Sequence, residues 1–271
     1  MNTGLLLKAT REVWPVTVVC GGVLAVVEGL LAYVMPTFAE QMSINLTQIE
    51  FIRHLVQAML GAELAGRLGP EMALSIPWTH PVVLAVAWAH AVICSTRVPA
   101  AEIDGGTADI LLTLPVSRWQ IMISETIVSM TAGLVILGML VLGNLMGNSL
   151  IADGPDVDTW RRTAVAANLY CLYLSVGGIA WLACSLSSRR AHAITAVFLI
   201  LVASFLLNYL APFWEAAKTV SGLSLLVYHR PLPVLRDGVC PWHDMAILLA
   251  LASSLWLAAG TIFARRNICT V

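Results

Sequence analysis

The residues best suited to a functional contact form one polar, glycine-rich stretch, AEIDGGTADILLTLPVSRWQIMISE, at positions 101–125 between two strongly apolar segments. Gly105 and Gly106 are expected to end the helix before them, and Thr107 is a residue type that caps a new one. Asp109 then falls in the first turn of that helix, where the helix dipole favours an acid. The chemistry that this pattern predicts is the binding of a partner surface.

The short helix predicted to start at Thr107 carries an apolar face. That face consists of Ile110, Leu111 and Leu114. Pro115 ends the helix, and Ser117 to Gln120 then fits the capping-box pattern S-x-x-Q that starts the next one. The sequence therefore predicts a short helix, held between two sharp turns at a membrane surface, with an apolar side free to dock.

Motifs for nucleotide binding or covalent catalysis are absent from the sequence. A phosphate-binding loop needs G-x-x-x-x-G-K-[ST], and neither of the chain's lysines, Lys8 and Lys218, follows a glycine. Neither H-E-x-x-H nor G-x-S-x-G occurs. Cys240 and His243 have the spacing of half a zinc site, but isolated interface histidines are the simpler interpretation. We expect no catalytic residue, cofactor or metal in this chain.

Glu28 is the one acid predicted to lie deep in an apolar segment. It comes about 15 residues into the first such segment, roughly 20 Å from its start. A charge at that depth is costly unless it faces protein or water. Two interpretations stay open: a group on a pathway or subunit interface, and a neutral acid bonded to a neighbouring helix. His90 is too shallow to be an obvious direct partner, whereas Asn144 and Asn208 are nearer in depth.

The stretch 101–125 resembles the permease subunits of type-2 ATP-binding-cassette (ABC) exporters, in which an acid, a Gly-Thr, a Leu-Leu and a Pro-x-Ser-Arg follow the second span. The matching residues are Glu102, Gly106, Thr107, Leu111, Leu112, Pro115, Ser117 and Arg118. The resemblance implies that residues 99–118 form a cytoplasmic coupling segment, whose helix seats in a cleft of a separate ATPase subunit that binds ATP and Mg. A basic residue is common a few positions into the following span of that family, and this chain has Glu125 there.

The motif and the apolar face together give the residues that we expect to dock on the ATPase. They are Glu102, Gly106, Thr107, Asp109, Ile110, Leu111, Leu114, Pro115 and Arg118.

Composition independently indicates an integral membrane protein. Of the 271 residues, 59% are hydrophobic and 11% are charged, and the mean hydropathy is +0.83. That leaves too little polar surface for a soluble domain of this length. We therefore predict an all-α membrane protein, and the resemblance implies that residues 1–271 form a single permease domain. A span needs about 20 mainly apolar residues, and the six candidates are 13–35, 76–96, 119–143, 164–186, 191–211 and 245–263.

Basic residues orient these spans. The bias is clearest at the short loop with Arg189 and Arg190 and at the tail with Arg265 and Arg266. It predicts that both termini and the motif are cytoplasmic, in a cell's inner membrane. The net charge of -1 provides no basic stripe, which argues against nucleic acid as a partner. The first apolar run is longer than a signal core usually is and should remain as a span.

Three further segments are expected to form short helices outside the spans. Residues 49–60 repeat apolar side chains at helical spacing and predict an amphipathic outer helix. The proline-rich segment from Ala211 to Asp244 predicts short helices and turns at the outer interface. Thr3 to Val13 is either a short interfacial helix or the frayed start of the first span.

The hypothesis that follows is a six-span permease subunit of an ABC exporter. By the same resemblance it would work as two copies, a homodimer or a similar heterodimer, with two ATPase subunits, surrounded by membrane lipid. ATP-driven closure of the ATPase pair would move the helix from Thr107 to Leu114. The main alternative is a non-transporting membrane component that delivers force to an outer partner. A secondary transporter is less well supported, because no second coupling acid accompanies Glu28.

Overall fold

The computed structural model describes residues 3–42, 70–108, 113, 115–151 and 158–267. Helices and turns make up these residues, and no strand occurs among them. The helices are α1 (Thr3–Met42), α2 (Pro70–Thr79), α3 (Pro81–Ser95), α4 (Arg118–Ser149), α5 (Thr159–Leu186), α6 (Arg190–Leu210), α7 (Glu215–Thr219), α8 (Pro231–Asp237) and α9 (Trp242–Arg265). The amphipathic helix predicted at 49–60 lies outside the described residues.

Six stretches of the described helices are long and apolar enough to cross a membrane. They are Thr3–Pro36, Ala73–Ser95, Arg118–Ser149, Thr159–Leu186, Arg190–Leu210 and Trp242–Arg265. This confirms the predicted all-α membrane fold with six candidate spans. The second stretch is made of α2 and α3, which meet at His80; Pro81 begins α3, where its missing N–H costs nothing, and the His80 ring accepts from the Val82 N–H.

The boundaries of α1 and α4 differ most from those expected. α1 is continuous from Thr3, so the first residues are the start of the helix that holds the first span and not a separate interfacial helix. α4 runs on to Ser149, past the expected end at Gly143, because Asn144 and Gly147 still pack inside the bundle. Both differences arise where polar residues continue a helix beyond its apolar part, since hydropathy alone marks only the apolar part.

Side-chain contacts show which helix ends lie together at one end of the bundle. Lys8 near the start of α1 contacts Glu102, which follows α3, and Arg190 at the start of α6 donates to the Ile93 carbonyl. Arg118 at the start of α4 contacts the end of α9, and Arg266, just after α9, donates to the Ser185 carbonyl near the end of α5. The spans therefore alternate in direction. We call the layer that contains residues 97–108 and Arg118 the motif end.

The closest helix packing joins α1 to α4 through small residues. A Cβ placed on Gly143 would lie 2.1 Å from the Ala25 carbonyl oxygen, and one placed on Gly147 would lie 2.1 Å from the Gly29 carbonyl oxygen. Small residues four apart on both helices are the pattern that lets membrane helices approach closely. These two helices therefore pack backbone to backbone in the half of the bundle away from the motif end.

The segment between α6 and α9 forms short helices and turns, as predicted from its prolines. It contains α7, two 3₁₀ turns at Ser221–Leu223 and Leu225–Tyr228, and α8, which ends at Gly238 with φ +70, a left-handed conformation that suits glycine. Buried His229 fastens this segment to the bundle: its Nδ1 lies 2.8 Å from Asn168 Oδ1 and its Nε2 3.2 Å from the Trp78 carbonyl oxygen. Burial lowers the pKa of His229 to about 4.

Candidate coupling site

The chain reverses direction between α3 and α4. After Ser95, residues Arg97–Ala101 form a wide helical turn in which Val98 is extended, and Glu102–Asp104 add one short helical turn. Gly105 and Gly106 then interrupt the helix, and Gly106 has φ +70, which a side chain would strain. The predicted break at these two glycines is confirmed.

Part of the docking helix lies outside the described residues. These positions are Asp109, Ile110, Leu111, Leu112 and Leu114. The predicted apolar docking face therefore stays a prediction. Of the residues that lead into it, Thr107 is described, and its hydroxyl donates to the Glu102 carboxylate.

The start of α4 is the predicted capping box. The Gln120 N–H donates to Ser117 Oγ at 3.2 Å, and the Ser117 N–H donates to Gln120 Oε1 at 2.9 Å. Two backbone N–H groups that the helix itself leaves unbonded are satisfied in this way. The helix start is thus fixed by its own sequence.

Arg118 connects this helix start to the end of α9. Its guanidinium donates to the Phe263 carbonyl at 2.9 Å and to the Arg266 carbonyl, and it lies 5.7 Å from the centre of the Phe263 ring. Carbonyls at the end of a helix have no partner in the helix and carry partial negative charge, so a cation there is stabilising. Arg118 therefore faces another helix of the same chain.

A cluster of five charged side chains surrounds the turn after α3. We call Lys8, Glu12, Arg97, Glu102 and Glu125 the charge cluster. Lys8 Nζ lies 2.5 Å from Glu102 Oε1 and 3.6 Å from Glu12 Oε1. Arg97 pairs with Glu12 and, at 3.0 Å, with Glu125 Oε2. The cluster thereby joins α1, the turn after α3 and α4.

Glu102 is the member of the charge cluster that leads into the docking segment. Partial burial raises its pKa, but hydrogen bonds from Lys8 and Thr107 and the nearby charge of Arg97 more than offset this, so the pKa of Glu102 lies below its usual value. The carboxylate is therefore ionised at neutral pH and attracts Lys8. Its side chain is 16% exposed, so most of its surface already contacts the same chain.

Glu125 occupies the position where the resembling exporters commonly have a basic residue. Its side chain is only 7% exposed, and its partner is Arg97, which is 11% exposed. The charge of the span is thus compensated by a cation on the preceding turn. Although Glu125 differs from the residue type common at this position, its charge is therefore paired with that of Arg97.

Glu28 lies apart from the charge cluster, about 24 Å along α1 from Glu12 at 1.5 Å per residue. It is fully buried, and its Oε1 accepts from Asn144 Nδ2 at 2.9 Å. Asn144 Oδ1 in turn accepts from Asn148 Nδ2 at 3.1 Å. Glu28 Oε2 has no hydrogen-bond partner among the described residues. Asn144, one of the two asparagines expected to lie near the depth of Glu28, is therefore its direct hydrogen-bond partner.

His90 belongs to a separate buried network nearer the motif end. Its Nε2 lies 3.0 Å from Thr17 Oγ1 and its Nδ1 3.0 Å from the Tyr173 hydroxyl. Thr17 donates its own hydrogen to the Val13 carbonyl, so it accepts from His90 Nε2–H. His90 thus links α1, α3 and α5 and, as predicted, does not contact Glu28.

The family model of the ABC-2 family transporter proteins matches residues 16–263 of the chain. The chain belongs to this family. No curated protein matches it. An ABC-2 protein is the membrane component, or permease, of an ABC transporter, and the family implies an ABC ATPase as its partner in general.

Sequence reasoning missed most of this permease's charge cluster. Lys8, Glu12 and Arg97 were not proposed as site residues, although Lys8 and Glu12 have i,i+4 spacing and Glu125 breaks the family pattern. Either signal points to a compensating cation near the turn after α3. In the described part of the permease, no group of three His, Cys, Asp or Glu side chains that could hold a metal ion is found beside Cys240 and His243.

Proposed function

We propose that this ABC-2 permease exports its substrate, using ATP hydrolysed by a separate ATPase subunit that docks on residues 99–118. Family membership supports the permease role, and the charge cluster is the observation that supports this docking segment. Through Glu102 and the preceding Arg97, the cluster joins the start of the segment to two long helices, α1 and α4. A segment that receives force needs such a connection.

In this proposal the ATPase contacts the apolar face of Ile110, Leu111 and Leu114. Thr107 and Pro115 bound that face, and the partner ATPase binds ATP and Mg. Glu102 and Arg118 already bond to α1 and α9 within the permease, so their role is to hold the docking segment against the spans. The contact surface and its anchor are therefore different residues of one motif.

Movement of the docking segment reaches the spans by two connections. Glu102 pulls on Lys8 of α1, and Arg97 pulls on Glu12 of α1 and Glu125 of α4. Because α1 and α4 pack backbone to backbone at Gly143 and Gly147, a shift at their starts is carried to the opposite end of the bundle. That end is the outward gate in our proposal.

The proposed assembly places the motif end in the cytoplasm and the proline-rich segment outside, in a cell's inner membrane. Lys8 and Arg266 both lie at the motif end, so both termini are cytoplasmic in this orientation. Two permease copies and two ATPase subunits complete the transporter, with membrane lipid around the spans.

The test is a charge placed on the predicted docking face. Leu111→Asp should reduce recovery of the ATPase with the tagged permease by tenfold or more, because burying an unpaired charge costs a few kcal/mol. Leu223→Asp makes the same change at a leucine that is 80% exposed at the opposite end, and it should not affect recovery. Both variants should melt at the wild-type temperature. Full ATPase recovery with Leu111→Asp would refute the docking site.

A further inference from the structure

A cavity of about 400 Å³ lies among α3, α4, α5 and α9, apart from the coupling site. Its wall includes Ser95 from α3, Ser129 from α4, Tyr173 from α5 and Trp256 from α9. Ser95 is the last residue of α3, and Trp256 comes about 14 Å before the end of α9. The cavity therefore lies within the span region, in the half of the bundle nearer the motif end.

The cavity has a buried floor and an exposed rim. At the floor Ser95, Tyr173 and Trp181 are at most 3% exposed. At the rim Met130 and Leu257 are 39% and 52% exposed. The rim lies on an apolar face of the spans, so a ligand enters from the surrounding hydrocarbon.

The lining selects against charge. None of the described residues that line the cavity is charged, and most of them are aliphatic or aromatic. An ionised group placed there would lose its hydration without gaining a counter-charge, which costs several kcal/mol. A ligand for this cavity is therefore neutral.

One polar group on the floor lacks a partner. The Ser95 hydroxyl is buried and makes no hydrogen bond among the described residues. Two other polar groups in the wall have partners: Trp256 Nε1 donates to Thr126 Oγ1 at 2.8 Å, and the Tyr173 hydroxyl lies 3.0 Å from His90 Nδ1. A buried hydroxyl without a partner is costly in an apolar site, so a ligand that offers it a hydrogen bond is stabilised.

Gly177 keeps the space beside that hydroxyl open. A Cβ on Gly177 would lie 3.4 Å from Ser95 Oγ and near no other atom. The neighbouring Gly178 has a different role, since a Cβ there would lie 2.9 Å from the Ala252 carbonyl oxygen and would separate α5 from α9. The glycine pair thus provides both the helix contact and the access to Ser95.

We propose that this cavity binds a neutral, mainly apolar membrane-soluble molecule with one hydroxyl or carbonyl group, which hydrogen-bonds to Ser95. The volume is that of a small-molecule site. A phospholipid acyl tail would fill the apolar part but would leave the hydroxyl unpaired. Binding at this site needs neither the ATPase nor transport, so the inference stands apart from the export proposal.

Photolabelling of the full-length permease tests the site. The protein is placed in phosphatidylcholine nanodiscs without ATPase and labelled with a photoactivatable diazirine derivative of 1-dodecanol. Mass spectrometry should find label on Met130, Tyr173 or Leu249, which line the cavity, and excess unlabelled 1-dodecanol should displace it. The charged counterpart, a diazirine derivative of dodecanoate, should label these residues several-fold less.

Two variants and a matched control locate the ligand. Ser253 is an exposed residue of the lining, so Ser253→Trp should block labelling, whereas Ser254→Trp, at an exposed neighbour outside the lining, should not. Ser95→Ala should weaken displacement by 1-dodecanol roughly fivefold to tenfold. It should not lower the melting temperature, because the hydroxyl has no partner in the protein whose loss would destabilise the fold.

Three results would overturn the proposal. The first is equal labelling of the wild type and Ser253→Trp. The second is labelling of the cavity by a phosphatidylcholine with a diazirine on its acyl chain, undisturbed by 1-dodecanol, which would identify a lipid tail as the occupant. The third is a lower melting temperature for Ser95→Ala, which would show that the hydroxyl bonds to the protein.

Discussion

Arg97 is the cation on which the charge cluster depends, because it neutralises acids from two helices. It pairs with Glu12 of α1 and lies 3.0 Å from the Glu125 carboxylate of α4. Arg97→Gln leaves Glu125, which is only 7% exposed, without its cation. Removing one partner of a buried ion pair costs about 3–5 kcal/mol. Because Arg97 retains some exposure and Glu125 can take up a proton, we expect a loss of unfolding free energy of about 2–3 kcal/mol.

A double-mutant cycle isolates the interaction between Arg97 and Glu125. Arg97→Gln, Glu125→Gln and the double variant are unfolded in one detergent and followed by near-ultraviolet circular dichroism. We expect a coupling free energy of about 1–2 kcal/mol, since the double variant no longer buries an unpaired charge. The Glu215–Lys218 pair is the control, because at 3.7 Å and 89% and 69% exposure it should couple by less than about 0.5 kcal/mol. Equal coupling in the two pairs would refute the reasoning.

Four further predictions follow from the described contacts. Lys8→Glu should lower the ATPase activity that the permease stimulates in its partner, and Lys8→Glu with Glu102→Lys should restore it; full activity of the single variant would contradict a role for this pair in coupling. Glu28→Gln should keep the bond to Asn144 and the wild-type stability, whereas Glu28→Leu should lose about 1–3 kcal/mol of unfolding free energy, and equal melting temperatures would remove Glu28 from the structural network. Burial lowers the pKa of His229 to about 4, so between pH 4 and about 6.5 protons bind the unfolded chain more readily than the folded one. The melting temperature should therefore fall as the pH drops through that window. His229→Asn should flatten this dependence on pH, whereas His243→Asn, at an exposed histidine, should not. On a cysteine-free background Ser221→Cys should react with an impermeant reagent from outside and Ser188→Cys should not, and the reverse pattern would invert the proposed orientation.

The features predicted correctly from sequence depend on neighbouring residues. The capping box needs only Ser117 and Gln120, three positions apart, and the helix break needs only the permissive backbone of Gly105 and Gly106. Hydropathy over about 20 residues likewise marks the candidate spans. Each of these signals is complete within one short window of the chain.

The features that sequence did not predict join residues far apart in the chain. Lys8 and Glu102 are 94 positions apart, and their contact depends on how α1 packs beside the end of α3. The charges of Lys8 and Glu12 are those of an interfacial helix when read alone, but in the structure they neutralise charges on other helices. The contact of Glu28 could be predicted only in part. Its depth in the span made Asn144 a candidate partner, but depth alone does not show that the two side chains meet.

The most direct test of the proposed function is photocrosslinking from the docking face to the ATPase. p-Benzoylphenylalanine is placed at Leu111, or at Leu223 as the control, and the permease is co-expressed with the ABC ATPase that copurifies with it. The proposal predicts a covalent permease–ATPase adduct from position 111. The yield of this adduct should fall when nucleotide binding changes the conformation of the ATPase pair. No adduct is expected from position 223. An adduct from position 223 with none from position 111 would contradict both the docking segment and the orientation of the permease.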